Sequence, residues 1–559
     1  MRKFLVIAVF AFVTVAMLAP PVLAQAPAPK VTITGLFDQV TSFGKNYNDG
    51  NASRDSDHEW YARTRFRPDF KFEVGNTKAV LGLELDLTYG RIGQQTGGPG
   101  KNVPNNAATL LGQNNLDKHA GTTADSSLNT DVTGIIEIKW MYTEFDLTGK
   151  DSLMPFIPVP SVGRAGLQPF GDLTDKTKIA YATGDFPGFS AVTTFAPNLK
   201  TKLAYVVVES EVGGGNRGNP NTANSKGTRG HDFAVIVSPE YTVYKGLDIK
   251  PIYSWFRADG ATHSEARRDV SDPHLAGGTT NAVATFGRPP VGNTAYAGGD
   301  PTFHESRHTI GLDASWRLGP WGFDPTLLYQ WGTRDQLAIT SANGGAFIKT
   351  EAKKSAFHFD AIGSFQYGPL LLEVRGVYST GNKARDNLAK RISYFEPLDT
   401  DTGYYSSWGA IIGLSDQDYG TGCAIVAQAC SFVGYDRYGR GQLGFRATYA
   451  ITPAFSVFGT VNPTWTAEKV DTDTGVNATG SRTVLPNSQT FTQGDSNYIG
   501  TETNIGFGWK FAPNVSFDVI GAYLASGKAL NTAEILNGVL TTRDAKDAYA
   551  VSSRVRFAF

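Results

Sequence analysis

The final stretch of this 559-residue chain alternates to its last residue. Tyr549, Val551, Val555, Phe557 and Phe559 fall on one parity, and Ala550, Ser552, Arg554, Arg556 and Ala558 on the other. A strand puts alternate residues on opposite faces, so one face is greasy and aromatic and the other polar and basic. Such a strand leaves a row of unpaired backbone groups at its edge unless something covers it. A sheet that closes on itself removes the edge and satisfies every backbone hydrogen bond.

The same unit recurs along the chain: alternating strand, very short turn, alternating strand, long polar loop. Trp60, Ala62, Thr64, Phe66, Phe70, Phe72 and Val74 oppose Tyr61, Arg63, Arg65, Arg67, Asp69, Lys71 and Glu73. Gly75-Asn76 reads as a hairpin turn, and Leu81, Leu83, Leu85, Leu87 and Tyr89 return against Gly82, Glu84, Asp86 and Thr88. Later copies turn at Gly319-Pro320, Gly368-Pro369, Thr452-Pro453 and Ala512-Pro513. Proline fixes φ and donates nothing to a ladder, so it suits these turns. Long connections, near 91–131, 258–305 and 381–437, are rich in Gly, Asn, Asp, Thr and Ser.

Counting these units gives eighteen strands, or sixteen if the weaker alternation between 147 and 210 is discounted. Aromatic residues gather at strand ends, among them Tyr89, Trp140, Trp255, Trp316, Trp331, Tyr378, Trp509 and Tyr523. That is the girdle a strand-built membrane protein needs at each interface. The pattern predicts an all-β, transmembrane antiparallel β-barrel of about eighteen strands, with short turns at one end and long loops at the other. A soluble sandwich would show shorter connections and no such asymmetry.

The start of the chain reads as an export signal. Arg2 and Lys3 precede an apolar run from Phe4 to Leu18 broken only by Thr14, and Val22-Leu23-Ala24 supplies a cleavage site. The run is shorter than the ~20 residues of a membrane-spanning helix. Residues 1–24 are therefore expected to be a signal peptide, 25–30 a short Pro/Ala tether and 31–559 one barrel. Losing Arg2 and Lys3 takes the basic count from 51 to 49 against 52 acids, so net charge moves from −1 to −3. That near balance argues against nucleic acid as a partner.

Along nearly all its mature length the chain resembles the Gram-negative outer-membrane porins, and its terminal aromatic resembles the signal by which their assembly machinery recognises a barrel. The resemblance implies short periplasmic turns, long extracellular loops, a location among outer-membrane lipids and contact with the assembly machinery through Phe559. Eighteen strands look more like the substrate-selective and sugar-exporting members than the sixteen-strand diffusion porins. Trimeric members bury a flattened apolar wall, so the resemblance implies a homotrimer as one assembly.

With the aromatic parity facing lipid, the other parity lines water. Closure brings the last strand beside the first, so Arg554 and Arg556 fall within two strands of Arg63, Arg65 and Arg67. A basic wall is expected there, with Glu84 and Asp86 as counter-charges on the next strand. It reads either as an electrostatic ladder for anions or as a mutually neutralised, solvated wall. In the porin family the third long loop folds inward. The matching segment here runs from about 169 to 187 and carries Asp172, Asp175, Lys176, Lys178, Tyr181 and Asp185. The resemblance makes it the constriction loop.

Enzyme-like patterns fail on context. His304-Glu305-Ser306-Arg307-His308 matches H-E-x-x-H, but a strand starts at Thr309, and strand residues four apart are roughly 13 Å apart. Gly439-Arg-Gly-Gln-Leu-Gly444 opens a strand, not a helix. Asp-Thr-Asp-Thr-Gly at 399–403 and 471–475 has the acid spacing that suits loop calcium. Cys423 and Cys430, the two cysteines, suit a disulfide clip outside the cytoplasm. The reading is a non-enzymatic outer-membrane channel for small hydrophilic solutes, without cofactor or metal and with an anion preference. The alternative is a selective oligosaccharide or acidic-sugar channel or exporter.

Overall fold

The computed structural model describes residues 28–46, 58–89, 136–169, 181–182, 185–210, 231–259, 304–339, 347–398, 408–412, 437–472, 475–476, 482–483, 494–536 and 539–559. Eighteen strands form the wall. They are β1 (Lys30–Lys45), β2 (His58–Val74), β3 (Thr77–Tyr89), β4 (Ile136–Asp146), β5 (Ser161–Pro169), β6 (Asp185–Ala196), β7 (Leu199–Ser210), β8 (His231–Tyr244) and β9 (Leu247–Asp259). The circuit continues through β10 (His304–Leu318), β11 (Trp321–Ile339), β12 (Phe347–Tyr367), β13 (Leu370–Ser379), β14 (Arg440–Thr452), β15 (Phe455–Val470), β16 (Ser496–Ala512), β17 (Val515–Ser526) and β18 (Ala548–Ala558). Each pairs antiparallel with the next, and β18 pairs with β1, closing the barrel without a free edge.

Seven of the eight connections at one end are two residues long; the eighth, between β4 and β5, spans 147–160. Gly319 and Gly368 take φ of 55° and 53° in their turns, a conformation only glycine adopts freely. At the other end the connections are long. Small ladders at 475–476, 482–483, 532–536 and 539–543 form a separate four-stranded sheet there.

The seam depends on the last residue. The Phe559 and Gly35 backbones exchange N–H···O bonds of 2.9 Å in both directions. Any side chain at position 35 would collide with the Arg67 carbonyl and crowd the Phe559 ring. The Phe37 and Phe66 rings stack at 4.1 Å, and Phe559 lies 6.2 Å from each.

Alternation sets the faces. Outward residues such as Val31, Ile33, Ile310, Leu327, Ile505 and Val551 are exposed, as lipid contact requires, whereas inward Asp38, Ser42, Asp313, Asp360 and Arg554 are buried. Two features depart from expectation. The β11–β12 hairpin runs on to Ile339↔Phe347, beyond the alternation that stops near Trp331, because each strand there pairs with the other. And β7–β9 are apolar inward as well, through Ala204, Val206, Val208, Ala234, Ile236, Ile252 and Phe256. Their inward face is covered by chain inserted from the loops.

Candidate functional site

Among the described residues, the arginines of the inward parity on β2 and β18 are matched to carboxylates. Asp38 on β1 lies opposite both Arg65 of β2 and Arg556 of β18. It accepts two bonds from Arg556, at 2.6 and 2.5 Å. Arg554 reaches Asp518 at 3.0 Å. Arg65 reaches Glu84 at 2.7 Å, and Arg67 bonds the same carboxylate. The ladder is thus a cross-strand lattice of alternating charge. Arg63 and Asp86 sit in β2 and β3, but their side chains lie outside the described residues, as do Asp172, Asp175, Lys176, Lys178, Cys423, Cys430 and most of both Asp-Thr-Asp-Thr-Gly segments. Asp185 begins β6 and pairs with Lys139 at 3.1 Å.

Of the third long loop, Tyr181 and Ala182 are described, and both are buried in the lumen. The Tyr181 hydroxyl donates to Ser254 Oγ of β9 at 2.5 Å. Its carbonyl accepts the Leu398 N–H at 2.6 Å. Leu398 belongs to a different loop, the connection between β13 and β14, which supplies most of the inserted chain among the described residues.

This connection docks on the inner wall at two places. At the first, Glu396 meets three cations of β10–β12: Lys354 Nζ at 2.5 Å, Arg334 Nη2 at 2.6 Å and Arg307 Nη1 at 3.3 Å. Glu305 binds the other side of Arg334, at 2.6 and 2.9 Å. Gln330 clamps the Glu396 backbone from both ends, donating to its carbonyl at 2.6 Å and accepting its N–H at 3.1 Å. Lys354 also donates to the Tyr394 carbonyl at 2.9 Å, and Phe395 packs 5.1 Å from His358. The whole group is buried. Burial pushes the Glu396 carboxyl up, but Arg334, Lys354 and Arg307 outweigh it and hold the group well below the usual carboxylate range.

At the second place the polarity is reversed: the wall supplies the acid. Glu502 of β16 accepts three successive backbone N–H groups, from Ala410 at 2.5 Å, Ile411 at 3.0 Å and Ile412 at 2.8 Å. Asn462 Nδ2 of β15 holds the Trp408 carbonyl. The side chains of Ile411 and Ile412 join an apolar cluster with Val40, Ile520, Ala522 and Ala550 from β1, β17 and β18. Arg437 donates to the Ala384 and Asp386 carbonyls, tying the two ends of the connection together.

The porin resemblance puts a constriction in the third loop, and composition alone makes 381–437 a polar loop. The signal for insertion was present: Ile392, Tyr394, Phe395 and Leu398, then Trp408 to Ile412, are apolar clusters that a hydrated loop does not need. The H-E-x-x-H residues lie in β10, where Glu305 points into the lumen, while the His308 ring stacks with Trp255 and Trp331 on the opposite face. Gly439 precedes β14, so the glycine pattern does open a strand.

A closed eighteen-strand barrel with an apolar belt outside and charges inside is a transmembrane β-barrel with the architecture of outer-membrane porins. No family model matches the chain and no curated protein matches it. Among solved structures it is similar to a BenF-like porin from Pseudomonas fluorescens Pf-5, at 10% identity and a TM-score of 0.45, covering 95% of this chain and 98% of that one. It is also similar to OprD from Pseudomonas aeruginosa, at 9% identity and TM-score 0.43 over 96% and 95% of the two chains. For OccK8 (OprE) of the same organism the values are 10% identity and 0.43 over 95% and 98%.

Proposed function

We propose that this protein is an outer-membrane channel for small hydrophilic solutes whose bore is narrowed from within by the connection between β13 and β14. The observation that carries this reading is the docking of Glu396 among Arg307, Arg334 and Lys354, which holds chain inside a barrel too wide for wall side chains to fill. It favours the substrate-selective reading over the wide diffusion pore. An anion preference stays part of the proposal in a modest form, because the arginines of the wall face Glu84, Asp518 and Asp38. The segment around Tyr181 belongs to the same constriction. No reaction is proposed.

Single-channel recording of the purified protein in planar bilayers tests this. Small steps that grow when 393–398 are replaced by a Gly/Ser linker are expected, with a reversal potential shifted slightly toward anions in a salt gradient. Large ohmic steps from the unaltered protein would overturn the narrowed bore. A cation-shifted reversal would remove the anion preference.

A further inference from the structure

One connection at the short-turn end departs from the rest. Residues 147–160 join β4 to β5, and Leu153-Met-Pro-Phe-Ile-Pro-Val-Pro160 is a run of eight without a polar side chain. The turn is ordered by its own bonds. The Met154 N–H donates to the Leu147 carbonyl at 2.8 Å, Thr148 Oγ1 to the Val159 carbonyl at 2.5 Å, and the Thr194 N–H of β6 to the Pro160 carbonyl at 2.9 Å. Yet Phe156 is 73% exposed and Leu153 59%. Three prolines stiffen the run, so exposing it does not merely reflect slack chain.

The turn starts on the outer side of the wall. Ala165 lines a shallow outer depression with Ala79, Leu81, Met141 and Thr143. Gly163 shares its parity, and a Cβ there would sit 2.8 Å from Leu147, which is buried against it. Leu147 therefore folds outward beneath β5. This is also where the wall is lowest. β5 has nine residues and offers Gly163, Ala165 and Leu167 outward, whereas β11 has nineteen and offers Trp321, Phe323, Leu327, Tyr329 and Trp331. The neighbouring outward surface carries exposed Met141, Phe189, Phe195 and Leu203, with the Ser161 and Thr193 hydroxyls bonded to each other beside the turn.

We infer that residues 153–159 are a membrane-dipping turn that seats Leu153 and Phe156 at the headgroup–acyl boundary of the periplasmic-side leaflet and completes the apolar belt where β5 is short. The occupant is phospholipid. The run carries no charge to desolvate, and the polar half of the turn, Thr148 to Ser152, keeps to the water side.

The test uses the full barrel in liposomes, with Phe156→Cys on a Cys423→Ser/Cys430→Ser background labelled by an environment-sensitive fluorophore. Lys150→Cys is the control in the polar half. At 156 the emission is expected to shift to the blue and to be quenched several-fold more by nitroxide-labelled phospholipid than at 150, at any protein-to-lipid ratio. Emission and aqueous iodide quenching equal to those at 150 would overturn the inference. So would protection that disappears when protein is diluted in lipid, which would assign the turn to a second copy of the chain. Heat-modifiable gel mobility checks that each variant is folded. As a label-free readout, Leu153→Asn/Phe156→Asn is expected to lower the unfolding temperature in liposomes, and an unchanged temperature there would count against lipid contact.

Discussion

The inserted connection is gripped twice, by opposite chemistries. At the first grip the insert brings the carboxylate, Glu396, to fixed cations. At the second the wall brings the carboxylate, Glu502, to the insert's own backbone N–H groups. The ion pairs of the first grip depend on one side chain and can be deleted by one substitution in the loop, which leaves Gln330 and Lys354 on the backbone. The second depends on the path of the backbone, so substituting Ala410, Ile411 or Ile412 leaves its donors in place. A barrel can thus vary the sequence of an inserted segment at one grip while the other preserves its course.

Glu396→Ala carries the largest expected effect. It removes the counter-charge from Lys354 and leaves Glu305 to face Arg307 and Arg334, and breaking a buried pair costs about 3–5 kcal/mol. Conductance is expected to rise and the urea midpoint of the tertiary transition to fall. Adding Lys354→Met should recover part of the loss, which a double-mutant cycle measures. An additive cycle would break the idea of a coupled grip.

Glu502→Gln is expected to do less, about 2 kcal/mol, since the amide oxygen retains one acceptor while its NH2 confronts a backbone N–H. Proteolysis within the 399–436 stretch, rather than conductance, should report it. If Glu502→Gln opens the channel as far as Glu396→Ala, the two grips are one unit.

The smallest effect is with pH. The folded-state pKa of Glu396 lies below its ordinary value of 4.5, so its contribution is fully present above that value and is lost only as pH falls through the depressed one. Conductance is therefore expected to stay level from about pH 7 to about pH 5 and to rise only in stronger acid. A rise already near neutrality would show that Glu396 is not the group holding the insert.

The wall was legible in the sequence and the insert was not, for a physical reason. Alternation is local, so most of the eighteen strands were legible, and only β5 to β7, where alternation weakens between 147 and 210, left sixteen open. Docking is not local: nothing near Glu396 in sequence reveals Lys354 or Arg334, and Asp38 could be matched to Arg556 only once β18 had closed on β1. The inward apolar face of β7–β9 misled for the same reason, since the residues that cover it, Phe395, Leu398 and Tyr181, come from two distant loops.

The seam described above has a consequence for both ends of the chain. Once β18 has met β1, the Phe559 backbone is paired with Gly35 in both directions and its ring leans on Phe37 and Phe66, with the rest of the ring still exposed on the outer face. The two ends of the chain thus lock one another: Gly35 and Phe37 complete the edge that Phe559 leaves, and neither end can satisfy its backbone groups alone.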